Sequence, residues 1–257
     1  PEERRNLGAH YTSEKNIFKL IKPLFLDDLR AEFNKVKSNS KKLKEFHRKL
    51  STLKFLDPAC GSGNFLIITY RELRLLEIDI LRAIFKSGEQ VLDVSSILWL
   101  DVDQFYGIEY DEFASKIAEV AMWLIDHQMN MQVSEEFGQY FVRLPLKKAA
   151  KIVHGNSLQI NWEDVVAKNE LSYIIGNPPF IGERYQSKEQ RADLEFVFGK
   201  KIKLDYVGAW YYATFDLEIG TIRSYTSSSI AKIENYGNGW YRCSLKSTAV
   251  IDYGNTI

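Results

Sequence analysis

Asn177-Pro178-Pro179-Phe180 is the stretch of this chain whose chemistry is easiest to state. Two consecutive prolines stiffen the backbone and remove two N–H donors, so the carbonyls before and between them are free to accept. Asn177 adds a side-chain carbonyl and Phe180 a flat apolar face. A rigid pair of acceptors beside an aromatic platform suits an exocyclic amine on a heterocycle, because it takes the amine protons while the ring stacks. Alone, the same four residues also make a rigid turn. The second stretch is Asp57-Pro58-Ala59-Cys60-Gly61-Ser62-Gly63-Asn64-Phe65. Gly61 and Gly63 let the backbone turn sharply and approach a ligand closely. The helix that follows offers its N-terminal amides to an electron-rich group. The third feature is Glu109, at the end of a strand, where a carboxylate suits hydrogen bonds to ribose hydroxyls. It lies too far beyond Gly63 for a compact dinucleotide fingerprint. A helical insertion from Phe65 to about Leu100 accounts for the excess.

These residues need elements to hold them. Ile17, Leu20, Ile21, Leu24 and Leu29 recur at helical spacing, and Ser38, Asn39 and Ser40 break the pattern. Leu53 to Asp57 is a short apolar run halted by Pro58, and Phe65 to Phe85 carries a helical stripe. Asp103 to Ile108 predicts a second strand, Glu112 to about Met131 a second long helix, and Lys151 to His154 a third strand. Tyr173 to Ile175 predicts a fourth, running straight into Gly176 and Asn177. Strands alternating with helices predict an α/β class, a Rossmann-like mostly parallel sheet flanked by helices, with ligands beyond the carboxyl ends of the strands. After about Tyr212 the composition turns to Ser, Thr, Gly, Asn and Tyr and alternates like strands, which predicts a short β-rich C-terminal tail. The expected organisation is a helical segment over 1–54, a catalytic core over 55–212 and the tail over 213–257.

Composition bounds the rest. The chain has 257 residues, 45% of them hydrophobic, enough for one sizeable core. The net charge is zero, so any nucleic-acid footprint must be a local patch. Arg30, Lys35, Lys37, Lys41, Lys42, Lys44, Arg48, Lys49 and Lys54 make one such stretch, opposed only by Glu32 and Glu45. The same run also fits a solvated helix face. Cys60 and Cys243 lie far apart with no Cys/His cluster, so neither a zinc site nor a disulfide framework is indicated and a cytoplasmic setting is expected. No signal peptide or membrane-spanning run is seen. The start at Pro1 rather than Met is that expected of a piece of something longer.

In chain order, Gly8-Ala9-His10-Tyr11-Thr12-Ser13, Asp57 to Phe65, Gly107-Ile108-Glu109-Tyr110-Asp111 and Asn177 to Phe180 resemble the class I S-adenosylmethionine-dependent DNA adenine-N6 methyltransferases. Placing the first segment ahead of the glycine loop is the order of the gamma group. Tyr70-Arg71-Glu72-Leu73-Arg74 and the helical insertion are similar to the large type IIG and related phage-defence enzymes. The resemblance covers roughly residues 4–212. It implies S-adenosyl-L-methionine as cofactor, double-stranded DNA as substrate and no metal. It places Tyr11 and Thr12 against the methionine moiety, and Asp57, Ala59, Gly61 and Gly63 at the floor and wall of the cofactor pocket. Glu109 would hold the ribose, and Asn156 stands where the family often has Asp on the cofactor's adenine amine. Asn177, Pro178, Pro179 and Phe180 would be catalytic, receiving a flipped-out adenine, and Asp205 and Tyr206 would help shape its pocket.

Some of the chain departs from that pattern. The residues beyond Tyr212 are too few for a target-recognition domain, and no later aromatic segment closes the base pocket. Asn235 to Cys243 instead resembles a fragment of the β-sandwich modules of phage tail proteins. The expectation is a chain truncated after the catalytic core, which binds cofactor and relies on a missing specificity domain or subunit. Two alternatives stand beside it: an RNA or protein-glutamine methyltransferase of the same fold, and an inactive fragment.

Overall fold

The computed structural model describes residues 12–86, 94–138 and 149–210. Tyr11 and the whole tail over 213–257 lie outside the described residues.

The first described elements are helix α1 (Glu14–Ile21), a π-helical turn (Lys22–Leu26) and helix α2 (Asp27–Val36). Pro23 has no N–H to donate within the helix, and the π turn carries the chain past that gap. Ile17, Ile21, Phe25 and Leu29 are buried on one side of this rod. The expected break falls where sequence placed it: Asn39 accepts a hydrogen bond from the Lys42 amide and starts helix α3 (Ser40–Leu50).

Four parallel strands follow: β1 (Phe55–Asp57), β2 (Phe105–Glu109), β3 (Lys151–His154) and β4 (Tyr173–Ile174). Between β1 and β2 runs the long helix α4 (Asn64–Lys86), and between β2 and β3 helix α5 (Glu112–Phe137). The strand order is β3-β2-β1-β4. The chain builds outward from β1 through β2 to β3, then returns to the other side of β1 with β4. That reversal opens a crevice at the carboxyl ends of β1 and β4, where α/β sheets bind ligands.

Alternation along the strands divides the core. Phe55 stacks between Phe105 and Tyr173 at 5.1 and 5.2 Å, under Phe25 and the helices α1 to α5. Leu56 and Ile108 face the opposite way, toward Leu158, Trp162, Val165, Leu194 and Trp210. Both faces are covered, which is why the strands read as continuous apolar runs.

Several boundaries differ from the sequence reading: β1 starts at Phe55 rather than Leu53, and β4 ends at Ile174. β2 begins at Phe105, because Asp101 and Gln104 form a capping box that winds Val102–Gln104 into a 3₁₀ turn. α4 matches the helical stripe read over Phe65 to Phe85 to within a residue, and Val94–Ile97 farther along the insertion form a 3₁₀ turn. α5 runs on to Phe137 and stops at Gly138, whose φ of 65° is left-handed. One helix was not anticipated: α6 (Lys188–Phe198), opened by a capping box between Ser187 and Gln190 and closed by Gly199. Its signals were local and present, but its apolar period is weak.

A charged cluster lies inside the helical layer. Arg74 and Glu77 of α4 are fully buried and paired at 2.7 Å. His47 of α3 bonds Glu77 at 2.7 Å, while Asp126 and Asn130 of α5 approach Arg74, and Tyr70 donates to Asp126. Backbone amides of Trp99 and Leu100 also donate to Glu77. The cluster ties α3, α4, α5 and the segment entering β2 to one another.

Candidate functional site

The carboxyl edge of β1, β2 and β4 collects most of the residues singled out from sequence. Beyond β1 the glycine loop is pinned across β2: the Cys60 amide donates to the Ile108 carbonyl at 3.1 Å, and the Gly61 amide to Glu109 Oε2 at 2.7 Å. Gly63 has φ 85°, and a Cβ there would lie 3.2 Å from Ala118 Cβ on α5, so only glycine brings the loop this close to the helix. At Gly61 the space beyond the Cα is open, leaving its backbone accessible to a ligand.

Asp57 ends β1, buried beneath this loop, and accepts from the Ala59 amide at 3.0 Å. Burial pushes its carboxyl up from 3.8 to about 8; the Ala59 bond opposes the shift and the charge of Glu109 adds to it. This shift favours the protonated carboxyl of Asp57 near neutral pH. The group binds its proton in the folded state between about pH 4 and 8, where the unfolded chain has released it. Its contribution to stability is fully present at low pH and is lost as the pH rises through that window. The expected result is a fall of a few kcal/mol, in order of magnitude, between about pH 4 and 8 by urea unfolding. Asp57→Asn should flatten that slope; an unchanged slope would show that another group titrates. Burial likewise raises the Cys60 thiol, so it offers no thiolate nucleophile.

Glu109 sits at the end of β2, half-buried, with Oε2 on the Gly61 amide and Oε1 on the Asp111 amide at 2.9 Å. Each oxygen keeps a further lone pair for an incoming hydroxyl. Asn156, after β3, spends one lone pair of Oδ1 on the Leu158 amide at 3.0 Å, forming a local turn. Gly155 donates to the Glu109 carbonyl at 2.8 Å, which draws this turn to the same edge.

Beyond β4 the sheet pairing continues through the Ile175 amide, which donates to the Leu56 carbonyl. Gly176 follows with φ 155°; a Cβ there would stand 2.4 Å from Asp57 Oδ1. The absent side chain is what lets the Asn177 loop pass directly over the end of β1. Asn177 is exposed, its Nδ2 donating to Thr12 Oγ1 at 3.2 Å, and its Oδ1 has no hydrogen-bond partner among the described residues. That contact joins the segment before α1 to the acceptor loop, although the two are remote in sequence. Pro178 and Pro179 are half-buried, while Phe180 is 44% exposed.

The stretch after Phe180 is strapped rather than loose. The Tyr206 amide donates to the Ile181 carbonyl at 2.8 Å, the Glu183 amide to Asp205 Oδ1 at 2.9 Å, and Gln186 Nε2 to the Leu204 carbonyl at 2.6 Å. Tyr206 is buried, its hydroxyl on Asp193 of α6. Asp205 and Tyr206 thus brace the acceptor loop from behind. Thr12 as the partner of Asn177, and Asp193 as the partner of Tyr206, are the two positioning contacts that sequence did not reveal.

Among the described residues no group of three or more His, Cys, Asp or Glu could hold a metal ion, and no helix is long and apolar enough to cross a membrane.

A doubly covered parallel sheet with a glycine loop, an acidic strand end and a proline-stiffened acceptor loop at its carboxyl edge defines the α/β methyltransferase architecture. Comparison with known proteins narrows that class: residues 33–249 match the model of the MmeI DNA-methyltransferase domain, and the chain belongs to this family. It is 42% identical over 218 residues to DNA methyltransferase A of Bacillus subtilis (strain 168), covering 82% of this chain and 24% of that protein. It is 31% identical over 154 residues to a putative type II restriction enzyme and methyltransferase of Methanocaldococcus jannaschii, covering 59% of this chain and 12% of the relative. The structure of the type IIL restriction-modification enzyme MmeI in complex with DNA superposes with a TM-score of 0.80 at 57% identity, covering 83% of this chain and 29% of that one. The chain thus spans about a quarter of the length of these first relatives. The family match also runs through most of the segment after Tyr212.

Proposed function

We propose that this chain is the catalytic core of a site-specific DNA adenine-N6 methyltransferase belonging to a restriction-modification or phage-defence system, acting in the cytoplasm. The observation that carries the reading is Asn177: its Nδ2 donates to Thr12, its Oδ1 has no partner among the described residues, and Phe180 at the end of the same short loop is exposed. Bound S-adenosyl-L-methionine supplies an electrophilic methyl group. Glu109 and Asn156 are suited to its ribose and adenine, and the Gly61 backbone and Asp57 to the wall and floor of its pocket. Tyr11 and Thr12 would lie against its methionine end. Asn177 Oδ1 and the carbonyl beside Pro178 accept the protons of the target amine and favour a pyramidal nitrogen, placing stabilisation where charge develops. Pro178 and Pro179 keep those acceptors from turning away. Phe180 stacks on a base taken out of the duplex, at a cost of a few kcal/mol that the pocket must offset.

Exposed cations near this mouth support DNA as the substrate. Arg184, Lys200, Lys201 and Lys203 lie on the two strapped segments that follow Phe180, and the similar MmeI structure is a complex with DNA. The organisation proposed is a helical segment over 1–54, the core over 55–212 and a tail over 213–257, with sequence recognition supplied by a further domain or subunit. Transfer of labelled methyl from S-adenosyl-L-methionine to DNA, RNA and protein tests the proposal. Label in DNA at adenine N6 is the expected result, and label only in RNA or in protein glutamine would establish the alternative. Phe180→Ala should lower the rate on duplex DNA by about 10- to 100-fold while leaving measurable activity, since base–aromatic stacking is worth about 1–3 kcal/mol. A fully active variant would remove stacking from the account.

A further inference from the structure

Lys15, Lys19 and Lys22 form a row along α1 and its continuation, spaced four and three residues apart on one helical face. Ile17, Ile21 and Leu24 occupy the opposite, buried face, so the three lysines point outward, and all are exposed. None has a carboxylate partner among the described residues. The one acid in the first turn, Glu14, is taken by Arg71 of α4, whose guanidinium also lies 5.9 Å from the Phe18 ring. Lys22 caps the same ring at 5.4 Å. Two cations thus lie over Phe18, and the one acid of the first turn is already taken by Arg71.

Position gives this row its meaning. α1 starts two residues after Thr12, whose hydroxyl is bonded to Asn177. The row begins at the catalytic mouth and runs about 10 Å away from it, at 1.5 Å per residue. The longer basic stretch over Arg30 to Lys54 is placed otherwise. Arg30 is drawn to Glu72 and Asp79, Lys49 to Glu32, and α3 leads into the amino edge of β1, away from the acceptor loop. His47 of α3 meets α4 at Glu77, about 20 Å along that helix from the glycine loop.

We propose that Lys15, Lys19 and Lys22 grip the sugar–phosphate backbone of DNA beside the flipped base, while the basic face of α3 remains solvated. This rests on the reading of DNA as substrate. Lysine ammoniums on flexible stems suit successive phosphates, and they carry affinity without sequence information.

The test measures binding of a mixed-sequence DNA duplex of about three helical turns to the full chain at about 50 to 200 mM salt. The parent is compared with Lys15→Gln/Lys19→Gln/Lys22→Gln and with the charge-matched Lys41→Gln/Lys42→Gln/Lys44→Gln on α3. Each phosphate contact contributes about 0.9 to the slope of log affinity against log salt, so the α1 variant should lose about 3 from that slope and bind on the order of 100-fold more weakly. The α3 variant should keep the parent slope, as should Lys15→Arg/Lys19→Arg/Lys22→Arg. Unchanged calorimetric affinity for S-adenosyl-L-methionine marks the variants as folded. Equal losses in the α1 and α3 variants, or no loss in either, would overturn the lysine row alone. A parent that binds cofactor but shows no salt-dependent affinity for DNA would overturn the DNA reading together with it.

Discussion

Asn177→Ala is expected to reduce methyl transfer to DNA by about a thousandfold or more, with affinity for S-adenosyl-L-methionine held within about twofold. The target amine is a poor nucleophile because its lone pair is delocalised into the ring. Its activation depends on acceptors already fixed in place when charge develops, and removing one such preorganised partner commonly costs about 10²- to 10³-fold. Here the cost is compounded. Among the described residues the side chain that accepts is held by one hydrogen bond, to Thr12, and alanine removes the acceptor and that contact together. The loop itself should persist, since Gly176 still packs on Asp57 and Ile175 still bonds Leu56. Single-turnover rates with labelled cofactor, beside calorimetric cofactor binding, separate the two roles. A large loss of cofactor affinity would mean that Asn177 acts by anchoring the segment before α1. A rate within tenfold of the parent would remove it from the chemistry.

The second large effect is on stability. Glu77→Ala should cost about 3–5 kcal/mol, the usual penalty for breaking a buried ion pair from one side. Glu77 accepts from Arg74 and His47, each at 2.7 Å, and from the amides of Trp99 and Leu100 at 2.8 and 2.9 Å. Burial by itself would raise its carboxyl, yet Arg74 and the His47 bond outweigh burial and hold it below the ordinary value. Alanine would leave the Arg74 guanidinium fully buried with its closest counter-charge gone, and two amides without acceptors. Against a total stability of about 5–15 kcal/mol this is severe, corresponding to a Tm lower by roughly 10–15 °C for a chain of this size. Glu77→Gln keeps a carbonyl acceptor and should cost less. Urea unfolding of both variants provides the check, and a loss under about 1 kcal/mol in Glu77→Ala would show that the cluster does not hold the helices together.

Asn177-Pro178-Pro179-Phe180 and Asp57 to Phe65 were legible as chemistry because each acts within a few residues: prolines fix their own backbone and remove their own donors, and glycines permit their own turns. The parallel α/β class was legible for the same reason, since strand and helix periods are local and β3 and the Asn39 break fell where the pattern put them. What the sequence did not disclose is distance across the fold. Nothing near Thr12 marks it as the partner of Asn177, because that contact depends on β4 returning to the far side of β1. His47, Arg74 and Asp126 read as ordinary helix residues, and only the packing of three helices makes them one buried cluster. The long basic stretch over Arg30 to Lys54 was legible as charge, whereas Lys15, Lys19 and Lys22 stand singly in the sequence. The tertiary structure set the shorter row beside the acceptor loop and neutralised part of the longer. Charge is a property of residues, whereas its proximity to a site is a property of the chain's path through space.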